Sequence, residues 1–569
     1  MDNRTALEEV LADICRRGDT AALRSILANS PEIDLNFTTD GGLTLLMHAL
    51  VGFGEDSSTA LGCYETCQLL VEAGAALNLT SADTAYGRTA AHWAVQYKQH
   101  QILDMLIQAG CDLTALDRTG ISPFHLAIVE KATLCLQVAI SLEPPEILEC
   151  ADAEGRTPLM LAVKTNDADA CQLLIQAGCN TNAAHHVTGQ TPLHLAVEMS
   201  NPVILELLLK GGAVLSSDIS GTTPIHLAAI LDSEETLAIF AELVGLNILD
   251  LVDTKGLTPL MHACAHGNEK TVKYLIKKKV DVRACDMEGK SCLHWAAGSI
   301  YPLAPKCLNL IYKKAQDLLY AADVAGKTPL HWCAIGGTVD TLRALLECGL
   351  PDVMATDEEQ HTAVHWAAAN GNPEVLAALA ECGCPIATPD AYGVYPIHYA
   401  VQRTSLPVGE QNEESLGFSL NCLKCLEILL DNNAPCDSTD GSGLQPLHWT
   451  AQYANNQQAL SLLLNHGADP SAQDSEGLTG LHISAGQGHV ENCQVLIDRT
   501  EGAIASVLDS RGRTALHHAT ENGQMECIHY LLSLGFSADY QDVDGRRAAY
   551  DTGCLHEAVQ AAGGYLPSV

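Results

Sequence analysis

The chain has 569 residues, of which 47% are hydrophobic, and a formal net charge of −38. That apolar content is enough for a packed core and excludes disorder for the bulk of the chain, while the charge argues against a nucleic-acid partner. No apolar stretch approaches a membrane span, and Met1-Asp-Asn-Arg-Thr does not open a secretory leader, so a cytoplasmic protein is expected.

In chain order, the first readable unit is Glu9-Val-Leu-Ala-Asp-Ile-Cys-Arg-Arg-Gly-Asp, followed by many copies of one phrase. The phrase reads G-R-T-P-L-M-L-A over 155–162, G-Q-T-P-L-H-L-A over 189–196, G-K-T-P-L-H-W-C over 326–333 and G-R-T-A-L-H-H-A over 512–519. All five tryptophans fall in it, each directly after a histidine: Trp93, Trp295, Trp332, Trp366 and Trp449. Anchored on the histidine position, the units sit at Ala12, Met47, His92, His125, Met160, His194, His226, Met261, His294, His331, His365, His398, His448, His482, His517 and Tyr550. These are 16 units, and 13 of the 15 intervals between them span 32 to 37 residues.

Each unit predicts two helices. A glycine before the phrase permits the tight turn that closes a β-finger. Thr191 and Thr328 are natural N-caps, and Pro192 and Pro329 stand at the first helical position, where a missing N–H does no harm. Small residues such as Ala94 and Ala296 let neighbouring helices approach closely. A leucine-rich second helix follows and stops at a glycine, as in Ala177-Gly-Cys and His466-Gly-Ala-Asp. One such unit cannot bury its apolar face, so neighbours must stack into an all-α repeat solenoid.

The phrase and its period resemble the ankyrin repeat over essentially the whole chain. The resemblance implies about 16 stacked helix-turn-helix units with finger loops, bound by partners on a concave side made of fingers and inner-helix ends. It also implies that the anchor histidine ties one unit to the next. Residues 1–41 are expected to form an N-terminal capping repeat, 42–544 a continuous array, and 545–569 (Gly545-Arg-Arg-Ala-Ala-Tyr-Asp onward) a degenerate C-terminal cap. Two intervals are long, 45 residues from Met47 to His92 and 50 from His398 to His448. They place insertions near 52–62 and 404–420, read as loops between the two helices of a unit, the second carrying the polar run Glu410-Gln-Asn-Glu-Glu-Ser.

Reactive chemistry is not expected. The 22 cysteines recur at equivalent positions (Cys67, Cys135, Cys171, Cys425, Cys493 and Cys527 in second helices), as small apolar residues of a reducing compartment do. Cys422 and Cys425 have no second pair to complete a zinc site, so no metal or cofactor is expected. Met47, Met160 and Met261 replace the anchor histidine in three units, which a shared catalytic role would forbid. The tryptophans are read as packing residues.

Binding residues are sought where the sequence departs from its own repeat. Four and five residues after the anchors stand Gln96-Tyr97, Lys164-Thr165, Gln402-Arg403, Gln452-Tyr453 and Glu521-Asn522. Tyrosine and arginine are favoured at binding hot spots, which makes Tyr97, Arg403 and Tyr453 the leading contacts, with Gln96, Gln402 and Gln452 beside them. Charge is uneven as well. From Lys270 to Lys314 ten basic residues face three acidic ones, a net of +7, so the remainder carries −45. Lys273, Lys277, Lys278, Lys279, Lys313 and Lys314 fall in or after two successive second helices and are expected to form one band that can dock an acidic or phosphorylated segment.

At finer grain, Gly155-Arg-Thr-Pro-Leu-Met, Lys290-Ser-Cys-Leu-His-Trp-Ala-Ala and Ala363-Val-His-Trp-Ala-Ala resemble the arrays of the inversin family, including its nematode moulting branch. That resemblance implies a non-catalytic scaffold, assembled with a NIMA-related protein kinase and a SAM-domain ankyrin protein, at the cilium or in epidermal trafficking and moulting at the cell periphery. The basic tail of that family, with its calmodulin-binding IQ segments, is not found in these residues, and no role resting on it is expected of them. The alternatives are an adaptor recruiting clients to a ubiquitin ligase, for which no further module is seen after Tyr550, and a substrate of an asparaginyl hydroxylase at Asn78 and Asn182.

Overall fold

The computed structural model describes residues 3–548, apart from 31–32, 56–59, 83–85, 143, 350, 405–412 and 454–455. The expected anchor Tyr550 and most of the expected terminal cap lie outside the described residues. The chain divides into two compact units, 1–259 and 260–569. Within the described residues the first holds seven helical hairpins and the second holds eight, and within each unit successive hairpins pack inner helix on inner helix and outer on outer. The architecture is the all-α repeat solenoid read from the sequence.

A hairpin of the second unit shows why. The inner helix Pro329–Gly336 starts at Thr328, which has the extended backbone of an N-cap, with proline at the first position. The cap is more elaborate than threonine alone. The Thr328 N–H donates to Nδ1 of His331 at 3.0 Å, and the Thr328 hydroxyl lies 2.9 Å from the same nitrogen. Histidine thus plays the part that glutamate plays in an ordinary capping box. Its other nitrogen, Nε2, donates to the His361 carbonyl in the next finger at 3.1 Å.

The same ring joins neighbours from His92 to Ile121, His194 to Thr222, His365 to Val394 and His482 to Arg513. Because Nδ1 receives a backbone N–H and Nε2 must donate, only the neutral Nε2–H tautomer satisfies both ends.

Apolar burial supplies the mass of the core. Leu330 and Cys333 of this inner helix are sealed from solvent, as are Leu342 and Leu345 of the outer helix Val339–Cys348. Each leucine so buried contributes about 2 kcal/mol before entropy is charged against it.

Fingers are where the structure differs from the expected β-form. Among the described residues they hold no strand, only isolated bridges such as Cys285↔Ser291. An aspartate holds the turn instead. Oδ1 of Asp323 accepts from the N–H groups of Ala325 and Lys327, both at 2.9 Å, and Gly326 closes the turn at φ 80°. Glycine is needed there twice over, since a Cβ would meet Glu358 N at 2.9 Å, where the next finger donates to the Ala325 carbonyl.

Period variation has a physical home. Four of the five intervals of 35 to 37 residues contain a short 3-10 turn after the outer helix, Pro145–Glu149, Leu246–Asp250, Gln316–Tyr320 and Ala503–Ser506. The insertion read as a loop over 404–420 is only partly so. Its residues 405–412 lie outside the described residues, and from Glu413 the chain is helical, making Glu413–Asp431 a 19-residue outer helix. The physical reason is the leucine-rich continuation, in which Phe418 and Cys422 pack over Gly371 of the preceding hairpin. At 52–62, the inner helix runs to Glu55 and the outer one begins at Ala60, with 56–59 outside the described residues.

Burial lowers the pKa of these rings: His92, His194, His294, His331, His398 and His448 fall below 6.5, and His365 and His482 drop to about 4. The folded array therefore binds fewer protons than the unfolded chain in acid. Stability from these rings is complete above about pH 6.5 and is lost as pH falls toward about 4, by roughly 3 kcal/mol for each ring shifted that far. The urea midpoint followed by far-UV circular dichroism should decline steadily across that window. A midpoint unchanged between about pH 7 and about pH 5 would contradict the assignment.

Candidate binding surfaces

Aspartate does more than hold the finger. Nine residues after it comes the residue following the anchor, and its ring reaches back. The indole N–H groups of Trp295, Trp332, Trp366 and Trp449 donate to Oδ2 of Asp286, Asp323, Asp357 and Asp440 at 2.9–3.1 Å. Tyr399 repeats the pattern through its hydroxyl, 2.7 Å from Asp390, and His518 through Nε2, 3.0 Å from Asp509. The rings from Trp295 to Trp449 come from five successive inner helices, are half-buried, and lie over their own fingers.

Cations interleave with this row. Lys290 Nζ lies 5.0 Å from the Trp295 ring centre and 4.0 Å from that of Trp332, and Lys327 Nζ lies 4.3 Å over Trp366. At the next step His361, 6% exposed, meets Trp366 and Tyr399 edge-on and bonds to the Tyr399 hydroxyl at 2.9 Å. The Asp357 and Asp390 carboxylates each stand 3.3 Å from its ring. Through His361 and Tyr399 these bonds tie the finger of Asp357 to that of Asp390. Burial alone would raise the carboxyls of Asp357 and Asp509, but donors outweigh it. For Asp509 the N–H groups of Arg513 and Arg511, the His518 ring and the Arg513 guanidinium hold the carboxyl down at about 2. Asp357 is lowered likewise, by the His361 N–H and the Trp366 indole.

The contact candidates named from sequence fall in several places. Gln96 and Tyr97 end the inner helix Ala90–Gln96 of the first unit. There Gln96 accepts from Arg88 at 2.7 Å, and Tyr97 stacks on Trp93 with ring centres 6.0 Å apart. Lys164 and Thr165 end Pro158–Lys164, and the Thr165 hydroxyl is turned back onto the Ala162 carbonyl. In the second unit Gln402 and exposed Arg403 end Pro396–Gln402. Gln452 is exposed, while the Tyr453 carbonyl accepts from Asn492. Gln452 shares a groove of about 400 Å³ with Ile483, Gln487, His518 and Asn522, so two of the named pairs meet there. Glu521 is instead occupied by Arg513 at 2.9 Å.

Asn78 and Asn182, considered as modification sites, each accept a backbone N–H from the next finger at 2.8 Å. Lys273, Lys277, Lys278, Lys279, Lys313 and Lys314 are all exposed, as expected, in or just after Glu269–Lys277 and Ala304–Tyr312. Sequence reasoning missed the aspartate-to-ring bond. Its signal was present as an Asp recurring nine positions before each of Trp295, Trp332, Trp366 and Trp449.

The model of the family described as ankyrin repeats (3 copies) matches residues 11–117, 110–185, 166–248, 239–320, 304–390, 417–503 and 447–544. The chain belongs to the ankyrin-repeat family. Within it the chain is similar to dog inversin, at 29% identity over 204 residues, and to chicken inversin, at 30% over 228. These alignments take in 35% and 39% of this chain but only 19% and 20% of the inversins. A fruit-fly transient receptor potential cation channel, subfamily A member 1, is 24% identical over 284 residues, 46% of this chain and 23% of the channel. Among the described residues no helix is long and apolar enough to cross a membrane.

The pinning is testable. Asp323→Ala strips acceptors from two turn N–H groups and one indole, and should cost roughly 2 kcal/mol in the urea midpoint while shifting tryptophan emission. Asp340→Ala, at an exposed helix start, should stay within about 0.5 kcal/mol of the parent. Equal effects at the two positions would contradict the structural role of the finger carboxylate.

Proposed function

We propose that this ankyrin-repeat protein is a non-catalytic scaffold that assembles protein partners on its inner-helix and finger face. The observation that carries the reading is the row Trp295, Trp332, Trp366, Tyr399 and Trp449. Large rings already fixed by hydrogen bonds lose little entropy on binding, and tryptophan and tyrosine dominate interface energetics. Gln452 and Asn522, at the adjoining groove, and Arg403 are further contacts of that face, and Tyr97 and Gln96 serve the first unit in the same way. The hairpin within 1–41 acts as the N-terminal cap of the array.

In the finer form of the proposal, the assembly contains a NIMA-related protein kinase and a SAM-domain ankyrin protein, in the cytoplasm, at the cilium or in epidermal trafficking. Similarity to inversin supports this form. Affinity purification from native tissue, read by mass spectrometry, tests it in two steps. The parent chain should recover a NIMA-related kinase, and Trp332→Ala with Trp366→Ala should lose partners while circular dichroism stays helical. Partners without that kinase would remove the finer assembly and leave the scaffold. Full recovery by the folded double variant would remove the ring face as the binding surface.

A further inference from the structure

Lys270, Lys273 and Lys277 project from the outer helix Glu269–Lys277, followed by Lys278 and Lys279, and Lys306 projects from the neighbouring outer helix Ala304–Tyr312, followed by Lys313 and Lys314. Few carboxylates answer them. Glu269 serves both Lys273 and Lys306, and Asp317 is taken by a two-pronged pair with Arg283 at 2.8 and 3.0 Å. Among the described residues Lys270, Lys277, Lys278, Lys279, Lys313 and Lys314 have no carboxylate partner, and Lys278 has only the Tyr274 ring at 5.4 Å. Six unanswered like charges on two packed helices are unfavourable in themselves. In a chain of net −38 they are also out of keeping with their surroundings.

Helix-end electrostatics do not account for the cluster. A cation in the last turn complements the helix dipole by about 0.3–1 kcal/mol, and outer helices elsewhere take one there, Lys210 or Arg499, or none. Here three lysines run consecutively. The third stands at φ 65°, the left-handed stop that seven other outer helices fill with glycine (Gly74, Gly110, Gly178, Gly212, Gly383, Gly467 and Gly535) and two fill with Asn433 and Glu501. Lysine at such a position costs about 1 kcal/mol relative to glycine. Glycine would relax the backbone at 279, whereas lysine there adds a third consecutive charge to the cluster.

We infer that the exposed ends of these two outer helices form a docking site for a short Asp- and Glu-rich segment of a partner protein. This deepens the scaffold reading and rests on it. Lysines are flexible point charges without the planar fork that grips a single phosphate or carboxylate, so an array of them suits a diffuse run of carboxylates. The ligand must also be short. Residues outside 270–314 carry a net −45, which would repel the parts of an extended polyanion, such as DNA or an anionic bilayer, that reach beyond the cluster.

The test uses the whole chain and a fluorescein-labelled octaglutamate peptide, followed by anisotropy. Binding at about 50 mM salt should weaken as salt rises and fall about tenfold or more in Lys277→Glu with Lys278→Glu and Lys279→Glu. Lys279→Gly separates charge from fold, since it should raise the thermal midpoint while weakening the peptide severalfold. No binding by the parent, unchanged binding by the triple variant, or a stabilised Lys279→Gly that binds as before would overturn the inference. Preference for duplex DNA or phosphatidylserine vesicles over the peptide would overturn it too. Failure here leaves partner loss by the Trp332 and Trp366 variant untouched, so the two readings fall separately.

Discussion

Most joints of this array depend on one neutral imidazole held between two backbones. The ring of His331 receives the N–H that would otherwise be orphaned at the start of its own helix and gives its proton to a carbonyl of the next unit. A single side chain therefore sets both where a helix begins and how far away its neighbour sits. Leucine and alanine packing supplies more free energy but little direction, since apolar contact tolerates sliding. The histidine bond does not, and the finger bonds beside it, such as Glu358 N–H to the Ala325 carbonyl, repeat the same spacing at the other edge.

The finger aspartate is the second fixed point, and it explains how a surface can be both exposed and rigid. One oxygen of Asp323 is spent on the turn and the other on the Trp332 indole. An aromatic ring that would roam in solution is thereby given an address relative to the backbone. Repeating this through five inner helices turns a stack of small hairpins into a face of evenly fixed rings. The lysine cluster belongs to the opposite logic. It sits on outer helices, is answered by few carboxylates, and includes a residue at a backbone position that suits glycine.

Much of this was legible in the chain itself, because the decisive interactions are local. Thr328 and Pro329, three residues or fewer from His331, fix the helix start, and Gly178 or Gly467 fixes the helix stop, so boundaries follow from neighbours in sequence. The aspartate-to-ring bond was legible too, at a spacing of nine, but it becomes meaningful only once the finger is seen folding back over the helix. Two features were beyond reach for physical reasons. The run from Glu413 looks like a polar loop until Phe418 and Cys422 are placed over Gly371, a contact with another hairpin. Lys279 looks like any surface lysine until its backbone angle is known. In both cases the information lies in three-dimensional context rather than in the pattern.

The most direct measurement of the central claim is the protonation of the anchor rings themselves. Histidine-selective ¹⁵N labelling with long-range ¹H–¹⁵N correlation distinguishes the two neutral tautomers from the cation. The account expects His365 and His482 to show a bare Nδ1 and a protonated Nε2 at neutral pH, and to keep that pattern at about pH 5.5, where exposed rings are largely charged. A protonated Nδ1 on these rings, or titration together with the exposed ones near pH 6.5, would contradict it.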